Sequence, residues 1–309
     1  MATITIRERL SDKIEAFYEA GQKPADYPTL RASSIGDECM RRIWYTLLWV
    51  AAPKRWPGRM LRLFETGHRE EDRIIIDLHN VGVTITRQQD AIPPLLDGWL
   101  TGHIDGVAEN VPGAEKTPHL FEAKTHNSKS WMDWRVRGVK LSKPRHFAQM
   151  QIYMHALGLT RALYAAHNKD TDALEFERVE YDPVFAAQLL ASAARLVTRG
   201  DAPPRISEKP DWFQCASCEF KDICHHGAFA RRNCRTCIMF EFKSINPSKF
   251  GLCGLNGNSV STGYQQEGCG YHLYKPDLVA GRQIDASKAK KTITYKMRDG
   301  STFVDGAGW

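Results

Sequence analysis

Residues 120–126, LFEAKTH, begin apolar and end polar, the pattern of a buried strand running out into a polar site. Alternate residues of a strand share a face, so Glu122 and Lys124 point one way while Phe121 and Ala123 pack on the other side. Upstream, WLTGHIDGVAE at 99–109 reads as the preceding strand. If the two strands pair, Asp105 converges on Glu122 and Lys124. Two carboxylates and an ammonium suit metal-assisted phosphodiester hydrolysis: oxygen ligands to hold Mg²⁺ or Mn²⁺, an ion that acidifies water, and a lysine to position that water. A Glu-x-Lys triplet by itself is common on exposed strands, so its surroundings decide the reading.

Downstream, Pro144 suits the first residue of a helix carrying Phe147, Met150, Met154 and Leu157, with Gly158 as its stop. Gln149 and Tyr153, four apart, share one face of that helix. Toward the N-terminus, 6–20 and 57–80 read as helices, the second with Leu61, Phe64, Ile75 and Leu78 apolar and with His68, in FETGHREE, as a candidate imidazole ligand. VTITRQQDAI from Val83 alternates like a strand, RALYAAHN and ALEFERVEY read as two more, and a helix from about Pro183 to Thr198 stops at Gly200. The order helix, strands, helix, strands, helix predicts an α/β core with a mixed sheet. Pro203-Pro204 breaks the chain before a cysteine-rich part.

At 309 residues the chain exceeds one ordinary domain and falls short of three, which predicts one larger domain with an appendage. No stretch approaches the roughly 20 apolar residues of a membrane span, so no membrane partner is expected. The N-terminus is charged through its first 15 residues and lacks an apolar signal region, so a cytoplasmic protein is expected. The net charge of +6 is concentrated: residues 230–309 hold 12 Lys+Arg against 6 Asp+Glu, leaving 30 against 30 elsewhere. Such a tail favours a polyanion. Within it KKTITYKMRDGSTFVDG reads as a hairpin turning at Asp299-Gly300. Lys288, Lys290, Lys291, Lys296 and Arg298 would meet phosphates there, and Tyr295 and Phe303 would stack on bases. A solvated edge hairpin guarded by lysines fits the same pattern.

The order of these motifs resembles the PD-(D/E)XK nuclease superfamily and, within it, the RecB-type exonucleases, including the CRISPR-associated and phage-borne ones. Gly67-His68 resemble the family's helix histidine in a G-H-x-x-E-like stretch, and Asp105 its metal-binding aspartate in a G-x-x-D-G-like turn. Glu122 and Lys124 match its E-x-K, Gln149 and Tyr153 its Q-x-x-x-Y. The resemblance spans roughly residues 30–228 and departs from the pattern in a fairly long loop between Asp105 and Glu122. It implies a restriction-endonuclease-like core over residues 1–229, with a mixed central sheet flanked by helices. It further implies an exonuclease acting on DNA, single-stranded or with ends, through Asp105, Glu122, Lys124, Gln149 and Tyr153, with Mg²⁺ or Mn²⁺ on His68, Asp105 and Glu122. The alternative is a non-catalytic DNA- or partner-binding module of a recombination or CRISPR-adaptation assembly, against which the intact Asp, Glu and Lys set argues.

Eight cysteines in a reducing compartment point to metal rather than disulfides. Cys215-x2-Cys218-x5-Cys224 follows the proline break, and Cys39 stands alone far upstream. Four thiolates suit iron-sulfur or zinc alike. Iron-sulfur members of the RecB-type family hold their cluster with one early and three late cysteines, so the resemblance implies a 4Fe-4S cluster on Cys39, Cys215, Cys218 and Cys224 that pins the two ends of the nuclease domain together. Cys234-x2-Cys237, followed by Cys253 and Cys269, resembles a zinc ribbon, a small β domain at 230–309 whose limited core a Zn²⁺ ion would stabilise. His272 could replace one of those thiolates, while His225 and His226 lie between the two sets as bystanders.

Overall fold

The computed structural model describes residues 6–22, 29–198, 201–243 and 251–306. In chain order its first half comprises α1 (Ile6–Ala20), β1 (Leu30–Arg31), α2 (Met40–Leu48), α3 (Gly58–Asn80), β2 (Thr84–Thr86), β3 (Leu100–Thr101), β4 (Gly106–Glu109), β5 (His119–His126), α4 (Ser128–Ser142) and α5 (Pro144–Leu157). There follow β6 (Arg161–Asn168), β7 (Ala173–Glu180), α6 (Pro183–Thr198), α7 (Phe213–Ala216), β8 (Phe240–Glu241), β9 (Leu252–Cys253), α8 (Thr262–Glu267), β10 (Gly281–Ser287), β11 (Thr292–Met297) and β12 (Thr302–Asp305). Two compact units interleave along the chain, one formed by Met1–Asp26, Pro53–Pro93 and Gly102–Ala187, the other by Tyr27–Ala52, Pro94–Thr101 and Gln188–Trp309. The boundary expected at 229/230 falls inside the second unit.

The first unit is built on a five-stranded mixed sheet of order β2-β4-β5-β6-β7, in which β5 and β6 run parallel and every other pair is antiparallel. A parallel pair needs a long crossover, and α4 with α5 supplies it. Period-two alternation divides β5 and β6 between two faces. On one, Ile74, Ile75 and Leu78 of α3 pack against Phe121, Ala123, Leu163 and Ala165. Burying side chains of the larger kind contributes roughly 1.5–3 kcal/mol each. On the other face lie Leu120, Glu122, Ala162, Tyr164 and Ala166, all fully buried. The apolar run of RALYAAHN matches its place as an inner strand covered on both sides. α5 starts with Pro144 and ends at Gly158, whose φ of 67° closes the helix in a left-handed cap.

Three elements depart from the sequence reading. WLTGHIDGVAE does not form one strand: Leu100–Thr101 pairs in parallel with Leu30–Arg31 in the second unit, and pairing with β5 resumes at Gly106. VTITRQQDAI is extended only over Thr84–Thr86, because Arg87 and Gln89 take positive φ and turn the chain. Between β5 and α5 an unexpected helix, α4, is capped by Asn127, whose side chain accepts from the Ser130 N–H. It breaks at Gly138, at φ 71° and ψ 167°. The broken turn is held by Glu177, which accepts from Trp134 Nε1 at 2.7 Å and from the Val139 N–H at 2.8 Å.

In the second unit β10, β11 and β12 form an antiparallel sheet, and β8 pairs with β9. The hairpin lysines and Arg298 are exposed. Tyr295, expected to stack on bases, is fully buried, and Phe303 lies between it and Phe229. These rings form the apolar side of the small sheet, so the stacking role is withdrawn. Among the described residues no helix is long and apolar enough to cross a membrane.

Gly138 occupies backbone space essentially reserved for glycine, and an added Cβ would sit 3.1 Å from a Glu177 oxygen. Gly138→Ala is therefore expected to lose about 1–3 kcal/mol in urea unfolding. An unchanged midpoint would show that the break in α4 carries no strain.

Candidate active site

The first unit gathers its titratable groups at the polar end of β5. Pairing of Gly106 with Phe121 carries the Asp105 turn alongside that strand. Asp105 Oδ2 accepts from the Ala123 N–H at 2.9 Å and lies 3.4 Å from Lys124 Nζ. Lys124 Nζ is also in contact with Glu122 Oε1 and donates to the Ala123 carbonyl at 2.9 Å. Gln149 Nε2 of α5 donates to the same Glu122 oxygen at 2.8 Å. The other oxygen, Oε2, is buried with no hydrogen-bond partner. One turn along α5, the buried Tyr153 ring fills the space beside Gly102, where a Cβ would come within 2.6 Å of it. The Q-x-x-x-Y spacing thus places on one helix face a donor to Glu122 and a wedge under the loop that carries Asp105.

Electrostatics of the cluster are set by burial and like charges. Burial first, then Asp105, raises the Glu122 carboxyl despite the ammonium beside it. Lys124 is raised: Glu122 and Asp105 outweigh the burial that acts to lower it. A third carboxylate joins from α3. Glu71, which accepts from Gln89 Nε2 at 2.9 Å, is raised to about 7 by burial and then by Asp105. The sequence reading assigned this helix's contribution to His68. His68 stands exposed one turn earlier, and no hydrogen bond or ion pair joins it to the carboxylates among the described residues. The overlooked signal was the second acidic residue of G-H-x-x-E, three residues after His68 and so near it on the helix surface.

Tyr164, opposite Glu122 in the register, lines the same face. Its hydroxyl lies 3.0 Å from His126 Nε2 and 2.8 Å from His146 Nδ1. Burial, aided by Lys143 and Lys124, pushes His126 down to about 4; burial and Lys124 push His146 down to about 3. Both rings are neutral at pH 7. On the α3 face of the sheet, donor atoms of Glu70, His167 and Asp172 lie within 4.8 Å of one another. Arg73 already bonds both carboxylates there, at 3.2 and 2.7 Å, and His167 Nε2 lies 2.9 Å from Asp172. This cluster is an ion-pair network with its own cation.

The cysteines belong to the second unit. Cys39, Cys215, Cys218 and Cys224 come from separate stretches into one neighbourhood: Cys39 and Cys224 act on the Cys215 thiol, and Cys39 also on Cys218, each adding to a rise led by burial. Cys234 is pushed up to about 12 by burial, followed by Cys269, Cys237 and Cys253. Burial and crowding disfavour the thiolate forms of Cys215, Cys218 and Cys234, and a cation among them would act the other way.

The carboxylate cluster fits a divalent ion on the same grounds. Asp105, Glu122 and Glu71 are hard oxygen donors opposed by one lysine, and Glu122 Oε2 lacks any protein donor. A carboxyl raised on folding favours the folded state at low pH, an advantage fully present below about 4.5 and lost as pH rises through about 7 for Glu71. In a chelator, melting temperature is expected to fall across that window. Glu71→Gln should flatten the fall, and Mg²⁺ or Mn²⁺ added at pH 8 should recover the loss in the wild type. Identical pH profiles for the two proteins would remove Glu71 from the cluster.

Among solved structures, the alkaline exonuclease LHK-Exo from Laribacter hongkongensis is similar, with 14% identity over 59% of this chain and 90% of that one, at a TM-score of 0.41. Its complex with dAMP gives 17% identity, the same coverage and a TM-score of 0.42. A phage-related exonuclease from Haemophilus somnus 129PT gives 13% identity over 54% of this chain and 92% of that one, at 0.39. Among curated proteins the chain finds no match. The PD-(D/E)XK nuclease superfamily profile matches residues 12–225, a span holding the mixed sheet, its flanking helices and the carboxylate cluster. With more than half of its length so matched, and with a restriction-endonuclease-like mixed sheet, the chain belongs to the PD-(D/E)XK nuclease superfamily.

Proposed function

We propose that the protein is a metal-dependent deoxyribonuclease that trims DNA from an end. The observation that carries this reading is the partnerless buried oxygen of Glu122 beside Asp105 and Lys124. Asp105, Glu122 and Glu71 would hold Mg²⁺ or Mn²⁺, with Glu71 taking the place on α3 first given to His68. The ion supplies positive charge to the phosphate and acidifies water. Lys124, held charged by its two carboxylates, cannot serve as a base at neutral pH; it donates hydrogen bonds that orient the attacking water and the phosphate. Gln149 holds Glu122 in one rotamer, and Tyr153 holds the Asp105 loop. Cys39, Cys215, Cys218 and Cys224 would carry a 4Fe-4S cluster, and Cys234, Cys237, Cys253 and Cys269 would hold a zinc ion. Cysteines used as metal ligands would accord with a cytoplasmic setting, and recombination or CRISPR-adaptation proteins are proposed partners.

The test is digestion of end-labelled single- and double-stranded DNA by protein purified without oxygen, with Mg²⁺ or Mn²⁺. Wild-type protein should trim in a metal-dependent way. Lys124→Ala should lose about a hundredfold or more in rate while the protein stays folded, as judged by a cooperative melting transition. DNA binding without cleavage by wild-type protein would instead support the assembly role.

Gly102→Ala tests the positioning of Asp105 from outside the charged cluster. The new methyl would press the Tyr153 ring and displace the loop, and a shift of about 1 Å at such a site costs about a hundredfold in rate. Normal trimming by a folded Gly102→Ala protein would show that the Tyr153 wedge does not set the Asp105 position.

A further inference from the structure

The thiol cavity of the second unit is lined by Cys234, Cys237, Cys253 and Cys269, together with Met239, Phe240 and His272. Its volume is ≈ 20 Å³, room for one ion. Five metal-binding side chains therefore face a space for a single ion that, in structural sites, takes four ligands.

The hydrogen bonds of His272 distinguish among them. Its ring is buried, and Nε2 lies 3.0 Å from Thr236 Oγ1. The one proton of the Thr236 hydroxyl has the carbonyls of Arg231 and Asn233 as acceptors, each 3.0 Å away. The same oxygen accepts from the Asn233 N–H at 3.1 Å. With its proton on either carbonyl, Thr236 is the acceptor in its contact with the ring, and in that tautomer Nε2 carries the imidazole proton. Nδ1 is left with a lone pair, buried and without a partner. A ring held through one nitrogen by a protein acceptor, with the other unpartnered and the residue lining a soft-donor cavity, has the arrangement of a metal-ligating histidine.

The backbone explains which thiols accompany it. The Cys237 N–H bonds the Cys234 carbonyl at 3.0 Å, and the His272 N–H bonds the Cys269 carbonyl at 3.2 Å. Cys-x2-Cys and Cys-x2-His are therefore two equivalent turns, each presenting a donor at both ends. The turns are laced together by Ile238 N–H to the Leu273 carbonyl at 2.8 Å and Lys275 N–H to the Thr236 carbonyl at 2.9 Å. Cys253 comes instead from β9, outside either turn.

We propose that a single Zn²⁺-class ion is held here by Cys234, Cys237, Cys269 and His272 Nδ1, with Cys253 beside the site as a free thiol. This rests on the zinc reading above and replaces one thiolate of its ligand set. Glu70, His167 and Asp172 form the one group of three such donors, among the described residues, whose atoms already lie within 4.8 Å. No three of the proposed ligand atoms lie that close together, so they would have to draw in around the ion.

The test uses the full-length protein loaded with Co²⁺, whose thiolate charge-transfer band scales with the number of sulfur ligands. Spectra are read as differences from the unsubstituted protein, so thiols elsewhere cancel. Cys253→Ser should leave the band and the bound metal unchanged. His272→Cys should raise the band by about a third as three sulfurs become four, and His272→Ala should weaken Co²⁺ binding at least about tenfold. If Cys253→Ser removes about a quarter of the band while His272→Ala changes nothing, the ion has four sulfur ligands and His272 is not among them. If Cys234→Ser alters neither uptake nor spectrum, no ion is held by this set and the zinc reading itself falls.

Discussion

The buried carboxylate of Glu122 is the constraint around which the first unit is arranged. Taking such a charge out of water costs several kcal/mol even after relaxation, so it survives only where other groups converge on it. Here the Gln149 amide and the Lys124 ammonium share one of its oxygens and leave the second bare. Asp105 and Glu71 worsen the balance, for one ammonium faces three carboxylates. A cluster this negative is unstable as a salt bridge and well suited to a small dication. The neighbouring elements divide the construction of the site among them. β5 brings Glu122 and Lys124, the turn before β4 brings Asp105, α3 brings Glu71, and α5 holds Glu122 and the Asp105 loop in place.

The same strand serves two purposes because its period is two. Phe121 and Ala123 lock β5 to α3, while Glu122 and Lys124 face the crossover helices. A shift of one residue in register would exchange the two sets and bury the charges in the apolar core. Hydrophobic packing on one face therefore fixes the address of the charged groups on the other. α5 repeats this economy, with Met150 and Met154 buried while Gln149 and Tyr153 reach the site.

Much of this was legible from residue spacing. Alternation in LFEAKTH, Pro144 and Gly158 at the ends of α5, and the four-residue step from Gln149 to Tyr153 all report local geometry that short sequences encode. What was not legible depends on tertiary context. WLTGHIDGVAE has the composition of a single strand, yet Gly102 marks where Tyr153, far away in sequence, comes close. α4 lacks a clean helical period because its aromatic side chains serve a helix broken at Gly138 and tied to β7 through Glu177. Tyr295 alternates with basic residues as a stacking residue would, but such alternation is equally that of a strand with one face buried. Glu71 was hidden by its neighbours in a run of charges, where only the folded helix separates the inward carboxylate from the outward ones.

The candidate metal-binding side chains of the chain are sorted by softness. Hard carboxylate oxygens gather in one unit, and all eight thiols lie in the other. Metals that prefer oxygen bind thiolates poorly, and thiophilic metals favour sulfur over carboxylate. A mixed site would be prey to whichever transition metal bound most tightly, since affinities for a given site rise steeply from Mn²⁺ toward Zn²⁺. Keeping the two donor classes apart means that an ion of either kind, where one binds, would meet a single class of ligand atom.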